Sequence, residues 1–394
     1  MERKEVGKQN FKISNYEKMK NNMAGVFLQY NQEEMIQKFS LEHDENDIYI
    51  YFLERKYSIS RCTGEVFWSE DDFQTKEKAD YNEAMTIYDV LCNSKKNCHP
   101  ANEWINIKSL STVLGGSLKR DNDFFHNAGE YFDGKVKELS YACETLHGKK
   151  LEKGDVAYEI KMFPFLSIIL RFWESDEDFP GVMQILTDKN ILDYMHYETL
   201  MFAMTHILER IKNEIETFEV QEAIKESGFG EFGCLNLRHL KYYPEVRKIC
   251  EENTCRNYGV SWACPPAIGT IEQCRERIEK YKKMILFSKK YILEDSFDLE
   301  GMLDGMQDFK RRADMLRQKL PASFGDYLLL SNEGCSRCSK CTYPNEPCRF
   351  PDLLTHSLEG YGFMVQELAQ EAGIHYNGGK NTVTYFGAII FHAG

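Results

Sequence analysis

The stretch "GDYLLLSNEGCSRCSKCTYPNEPCRFP", residues 325 to 351, runs from an apolar, strand-like segment straight into four cysteines, Cys335, Cys338, Cys341 and Cys348. Their pattern is C-x2-C-x2-C-x6-C. Two-residue gaps let successive thiolates reach different corners of one iron–sulfur cube, and these gaps match the bacterial ferredoxin run, whose last gap is usually about three. A longer return is compatible, because the fourth ligand only has to come back to the same cluster. Arg337, Lys340 and Arg349 interleave with the thiols and can offset a negative cluster. Structural zinc sites usually pair two C-x2-C knuckles across about a dozen residues or more. That pattern fits poorly here, and zinc and inert thiols stand as the alternatives to iron–sulfur.

A second constellation lies upstream in "VRKICEENTCRNYGVSWACPPAIG", residues 246 to 269. It reads C-x4-C-x8-C-P-P through Cys250, Cys255 and Cys264. The proline after Cys264 matches the C-P ending of the ferredoxin run. Three local thiols need another donor for a four-ligand cluster, and Cys234 and Cys274 are candidates. Cys274 follows the capping box "TIEQ" at Thr270 and shares a helical stripe with Ile271, Ile278 and Tyr281, which reads as a core thiol. Three readings stand for this set: a second [4Fe–4S] cluster, a three-cysteine cluster with one open iron that binds substrate, and a zinc or purely structural site. Tyr258, Trp262 and Tyr343 read as walls that keep water off the thiols.

The elements around these loops alternate. "KKMILFSKKYIL" (282–293), "GDYLLLSN" (325–332) and "NTVTYFGAIIF" (381–391) read as strands. "DLEGMLDGMQDFKRRADMLRQKL" (298–320) has apolar residues at 3–4 spacing and is stopped by Pro321; "PDLLTHSLEGYGFMVQELAQEAG" (351–373) reads as a helix from Pro351 to Gly373. The first half reads as α+β without an internal repeat. It has a helix at 30–39, strands at 47–61 and 63–69, and a helix at 81–94. One helix over 128–148 and one apolar strand over 159–173 follow. After the strand "VMQILTD", a helix over 196–216 closes the region, and the domain boundary is set near residue 215, where it ends. The expected fold class is α+β in two domains, each a small mixed sheet with packed helices. Residues 1–215 would recognise a partner or substrate, and residues 216–394 would hold metal in strand–helix loops.

Composition narrows the function classes. The 394 residues carry 49 Lys and Arg against 62 Asp and Glu, a net charge of −13, which argues against a nucleic-acid binder that must displace counterions. No apolar run is long enough to span a membrane, and the first twenty residues carry charge without an apolar core, so they do not read as a secretory signal. The expectation is a cytoplasmic protein with reduced thiols. Thirteen cysteines then read as ligands, catalytic thiols or core residues, not as a disulfide framework.

The second half, from about residue 216, resembles a family described only as predicted metal-binding proteins, common in anaerobic bacteria and archaea. The matching residues are C-x-x-Y-G-x-x-W-x-C-P-P ending at 266 with Cys250 before it, "GCSRCSKCTYPNEPCRFP" at 334–351 and "TYFGAII" at 384–390. The resemblance implies Cys250, Cys255, Cys264, Cys335, Cys338, Cys341 and Cys348 as ligands, without a reaction; Cys234 and Cys274 are outside its motif. Residues 25 to 212 resemble a second uncharacterised family through "WINIKSLSTVLGG" and "FPFLSIILRFWESDEDFPGVMQILTD". Its relatives in anaerobes stand beside iron–sulfur segments like those of corrinoid proteins, which implies one-carbon or corrinoid chemistry.

The remaining first-half signals are weaker. Glu174, Asp176, Glu177 and Asp178 in "WESDEDF" read as a solvated turn before a cation site. "CNSKKNCHP" lacks the ligands and gaps of a metal site and reads as a loop. His126, His196 and His206 read as surface or satisfied core histidines. No P-loop, G-x-G-x-x-G or G-x-S-x-G is present. The expected function is an iron–sulfur redox protein passing electrons to a partner protein or a small-molecule acceptor, with an iron–sulfur oxidoreductase or a zinc-binding module as alternatives.

Overall fold

The computed structural model describes residues 14–110, 124–321, 324–331 and 334–392. The chain divides into two compact units, Met1–Ile215 and Glu216–Gly394.

In the first unit, α1 (Asn15–Phe27) and α2 (Gln32–Phe39) precede an antiparallel meander of β1 (Glu42–His43), β2 (Asp47–Phe52), β3 (Arg55–Ser60), β4 (Val66–Ser69) and β5 (Glu77–Lys78). Then α3 (Tyr81–Asn93) starts on a capping box, in which Asp80 and Glu83 satisfy each other's backbone N–H groups. The second sheet runs β6 (Trp104–Asn106), β10 (Val182–Asp188), β9 (Leu166–Trp173), β8 (Val156–Phe163), β7 (Lys149–Lys150), again antiparallel. Short α4 (Ile107–Leu110), α5 (Phe124–Phe132) and α6 (Val136–Thr145) lie between its strands in sequence. Two antiparallel sheets thus replace the single small mixed sheet expected for this half. The helix expected over 128–148 is two helices, interrupted where Gly134 takes φ +75°. The apolar strand expected over 159–173 is a hairpin that turns at Pro164 and Phe165, with Phe163 opposite Leu166. Part of "WINIKSLSTVLGG", residues 111–116, lies outside the described residues, as does the environment of His126. The helix α7 (Tyr197–Glu226) continues past residue 215, where the sequence suggested that it ends.

The second unit is one five-stranded sheet in the order β11 (Glu231–Leu235), β12 (Lys283–Ile292), β15 (Thr382–Phe391), β13 (Tyr327–Ser331), β14 (His356–Ser357), antiparallel except for β13 with β14. Successive residues of β12 point to opposite faces, and both faces are covered. Met284 and Leu286 join Ile268, Cys274 and Ile278 on one side, with α9 (Ile271–Ile278) and α11 (Val365–Glu371). Ile285 and Phe287 join Phe229, Phe309 and Leu316 on the other, with α10 (Leu299–Lys319). Two covered faces explain why "MILF" is apolar without alternation. The apolar stripe of α10 is used only in part: Phe309, Ala313 and Leu316 are buried, while Leu299 and Leu303 face solvent. Residues 351–373, expected as one helix, form a 3-10 turn, β14, a second 3-10 turn and the short α11. Gly362 at φ +83° and the buried neighbours Tyr361 and Phe363 break the helical register.

Phe287 anchors the covered sheet, with its ring 4.4 Å from Phe229 and stacked on Phe309 at 6.0 Å. Phe287→Ala is expected to cost about 3–5 kcal/mol. A lower midpoint for the second unit in urea denaturation followed by circular dichroism would show it, and an unchanged midpoint would contradict this packing.

Candidate metal centre

The downstream loop leaves β13 and is tied down along its length. Glu346 N donates to Thr342 O at 3.1 Å, the Thr342 hydroxyl to Pro347 O at 2.9 Å, and Arg349 Nη1 to Lys340 O at 3.1 Å. Arg337 Nε donates to Leu353 O at 2.9 Å, and its Nη2 pairs with Asp314 of α10. Folded this way, the loop lines one small cleft with Cys335, Cys338, Cys341 and Cys348, shared with Ser261, Arg337, Arg349 and Phe350. All four thiols are half-buried. Of the three interleaved cations, Arg337 and Arg349 line the cleft with the thiols and Lys340 does not. Arg337 is also matched by Asp314, so part of its charge is already met.

The upstream loop begins on α8 (Pro244–Glu251), which carries Cys250. The Arg247 guanidinium on the same helix donates to the Gly360 and Gly269 carbonyls and pins it. The chain then turns through Asn253 and Arg256, both at positive φ, and Asn253 Oδ1 accepts from Tyr258 N at 3.0 Å. Cys255 is exposed, Cys250 half-buried and Cys264 buried.

The two loops clasp each other. Trp262 Nε1 donates to Glu346 O at 3.0 Å, and its ring meets Tyr343 edge-on at 4.9 Å. Cys264 Sγ lies directly against Gly334, where a side-chain carbon would sit 2.6 Å from the sulfur. A side chain at residue 334 would have to displace the Cys264 thiol, so close approach, not the dihedral angles, favours glycine here. Trp262 and Tyr343 therefore join two thiol-bearing segments, which goes beyond the wall expected of them.

The electrostatics differ between the loops. Burial pushes the Cys264 thiol up to about 12, helped by the neighbouring Cys255, Cys250 and Cys335, with Lys310 opposing. Burial also raises Cys250, with Glu359 adding to it. Cys341 goes the other way. Burial would raise it, but the backbone amides of Tyr343, Trp262 and Thr342 and the Ser261 hydroxyl outweigh that and hold it below its ordinary value. Amides aimed at a sulfur stabilise the thiolate, which is the ligating form. A metal cation placed beside the buried thiols would favour the same ionisation.

The other cysteines are elsewhere. Cys274 is fully buried, its Sγ 3.7 Å from the Ile268 carbonyl, as a core thiol should be. Cys234 is exposed on β11, 3.9 Å from Gln221 Nε2. The downstream thiol beside Cys264 is Cys335, a neighbour that spacing alone did not single out.

In the first unit, Asp176 accepts from the N–H groups of Asp178 and Phe179, and the acidic run is an exposed turn. His196 pairs with Asp89 at 2.7 Å. His206 departs from expectation: it is buried on α7, yet its Nε2 has no hydrogen-bond partner.

No helix among the described residues is long and apolar enough to cross a membrane. No curated protein and no solved structure matches the chain. Residues 31–210 match the family described as a domain of unknown function, DUF3786, and residues 234–391 match the family described as predicted metal-binding protein, DUF2284.

Proposed function

We propose that the second unit is an iron–sulfur electron-transfer module. The observation that carries this reading is the convergence of Cys335, Cys338, Cys341 and Cys348 on one small cleft, with Cys264 Sγ packed against the base of the same loop. The four downstream thiols would hold a [4Fe–4S] cluster. Cys250, Cys255 and Cys264 would hold a second, whose fourth donor is not among the local thiols. When bound, such clusters accept and release single electrons at a potential set by burial and by hydrogen bonds to sulfur.

The chain's own residues supply those settings. The amides around Cys341 donate to sulfur, Trp262 and Tyr343 shield the clasp from water, and Arg337 and Arg349 lie at the thiols. The electron acceptor is a partner protein or a low-potential small molecule, with a corrinoid as its most specific form. The first unit, residues 1–215, would recognise that partner or substrate.

A second reading makes the upstream set catalytic. The exposure of Cys255 favours it, because solvent reaches this end of the trio and a substrate could enter there. It predicts that one cluster's spectrum responds to substrate.

The test is iron, zinc and acid-labile sulfide on anaerobically purified protein, with an EPR spectrum after dithionite reduction. About eight iron and eight sulfide per chain are expected for two cubanes, and about four for the downstream loop alone. Zinc without sulfide would overturn electron transfer and leave a binding or structural module.

A further inference from the structure

We infer that the first unit carries a separate site for one divalent first-row transition-metal ion, held by Asp80, His206 and Glu209. An imidazole nitrogen of His206 and one carboxylate oxygen each of Asp80 and Glu209 lie within 4.8 Å of one another. His206 and Glu209 are three residues apart on α7 and therefore share a face. Asp80 is fixed by the capping box of α3: one of its oxygens accepts from Glu83 N at 2.8 Å, while its own N–H donates to Glu83 Oε2 at 2.7 Å. The Phe52 ring, 5.0 Å from the imidazole, holds the histidine from the side. Histidine forms the buried floor, and the two carboxylates form a rim open to solvent, which leaves an entry path.

The second observation is independent of the acidic rim. His206 is 3 % exposed, and its Nε2 has no hydrogen-bond partner. Glu83 Oε1 is 3.6 Å away, beyond hydrogen-bonding distance. That oxygen is already taken by the Tyr57 hydroxyl at 2.7 Å and faces Arg55 at 3.2 Å. A buried, unpaired imidazole is an exception among folded proteins and asks for a reason. Burial, with Arg210 and Arg55 nearby, keeps the ring neutral, the form that ligates metal.

Of the cations around the cluster two are committed, whereas Arg210, buried beside His206, leaves its Nη1 without a hydrogen-bond partner. Arg55 pairs with Glu83 and Glu70. Lys20 donates to the Ala79 carbonyl at 2.8 Å and pairs with Glu17 at 2.8 Å. Asp80 and Glu209 oppose each other across the rim, eased by Lys20 beside Asp80 and by Lys212 beside Glu209. One nitrogen and two carboxylate oxygens, with no sulfur, suit a cation such as Mn2+, Fe2+ or Zn2+ and differ in kind from the thiols of the second unit.

Mn2+ is the probe, because thiolates compete poorly for it. The anaerobically purified full chain is titrated with Mn2+, and the free six-line EPR signal is followed. One Mn2+ per chain is expected, bound at least about tenfold more weakly by Glu209→Gln and by Asp80→Asn. Asparagine still caps α3, so Asp80→Asn keeps the helix start. His206→Gln tests the floor. If it fails to fold, the two rim variants still decide. No Mn2+ on the unaltered protein, or unchanged binding in both rim variants, would overturn the site.

Discussion

Cys341→Ala is expected to strip about four iron and four sulfide from each chain while leaving the first unit folded. Cys341 is the thiol that the loop prepares most directly, since three backbone amides and the Ser261 hydroxyl lower it against its own burial. Those donors belong to both loops, so losing this sulfur removes a ligand and also orphans amides aimed at it. Iron and sulfide analysis against far-UV circular dichroism separates loss of metal from loss of fold. Unchanged metal in Cys341→Ala would mean that the C-x2-C-x2-C-x6-C loop holds no cluster.

The second large effect needs no change to any thiol. Gly334→Ala places a carbon 2.6 Å from Cys264 Sγ. A free thiol can rotate away at small cost, whereas a sulfur bonded to metal cannot. In protein holding both clusters, Gly334→Ala is expected to lose about four iron from the upstream set and to keep the downstream complement. The EPR spectrum of the reduced protein would then keep one signal and lose the other. Full metal content would show that Cys264 is free to move and would remove it from the ligand set.

The readable parts of the fold were those with a strong period or a strong stop. The run at 284–287 announced a strand, although not that both of its faces are covered. Phe309, Ala313 and Leu316 announced a helix that Pro321 ended. Tight reversals inside apolar runs were not readable. Pro164 and Phe165 turn β8 into β9 without a polar residue to mark the bend, because both strands are buried. In residues 351–373, chance apolar spacing outweighed Gly360 and Gly362, where the chain turns. Spacing put four thiols in one loop. It could not show that Cys264 meets Gly334 or that Trp262 reaches Glu346, because those contacts depend on how β12 and β15 pair. The unpartnered Nε2 of buried His206 is not legible in the sequence, because its neighbours Glu83, Arg55 and Tyr57 come from distant segments that spend their hydrogen bonds on one another.

The contact between residues 264 and 334 closes a long excursion of chain that contains α9, β12 and α10. Loop closure grows only with the logarithm of length, at roughly 0.6 kcal/mol per doubling. The turn between β12 and α10, where Phe297 is 87 % exposed, lies inside that excursion. Extra residues there would lengthen the loop at little entropic cost and need not move either end. This turn is thus where related sequences can differ in length, or an engineer can insert a tag, while the thiols keep their positions.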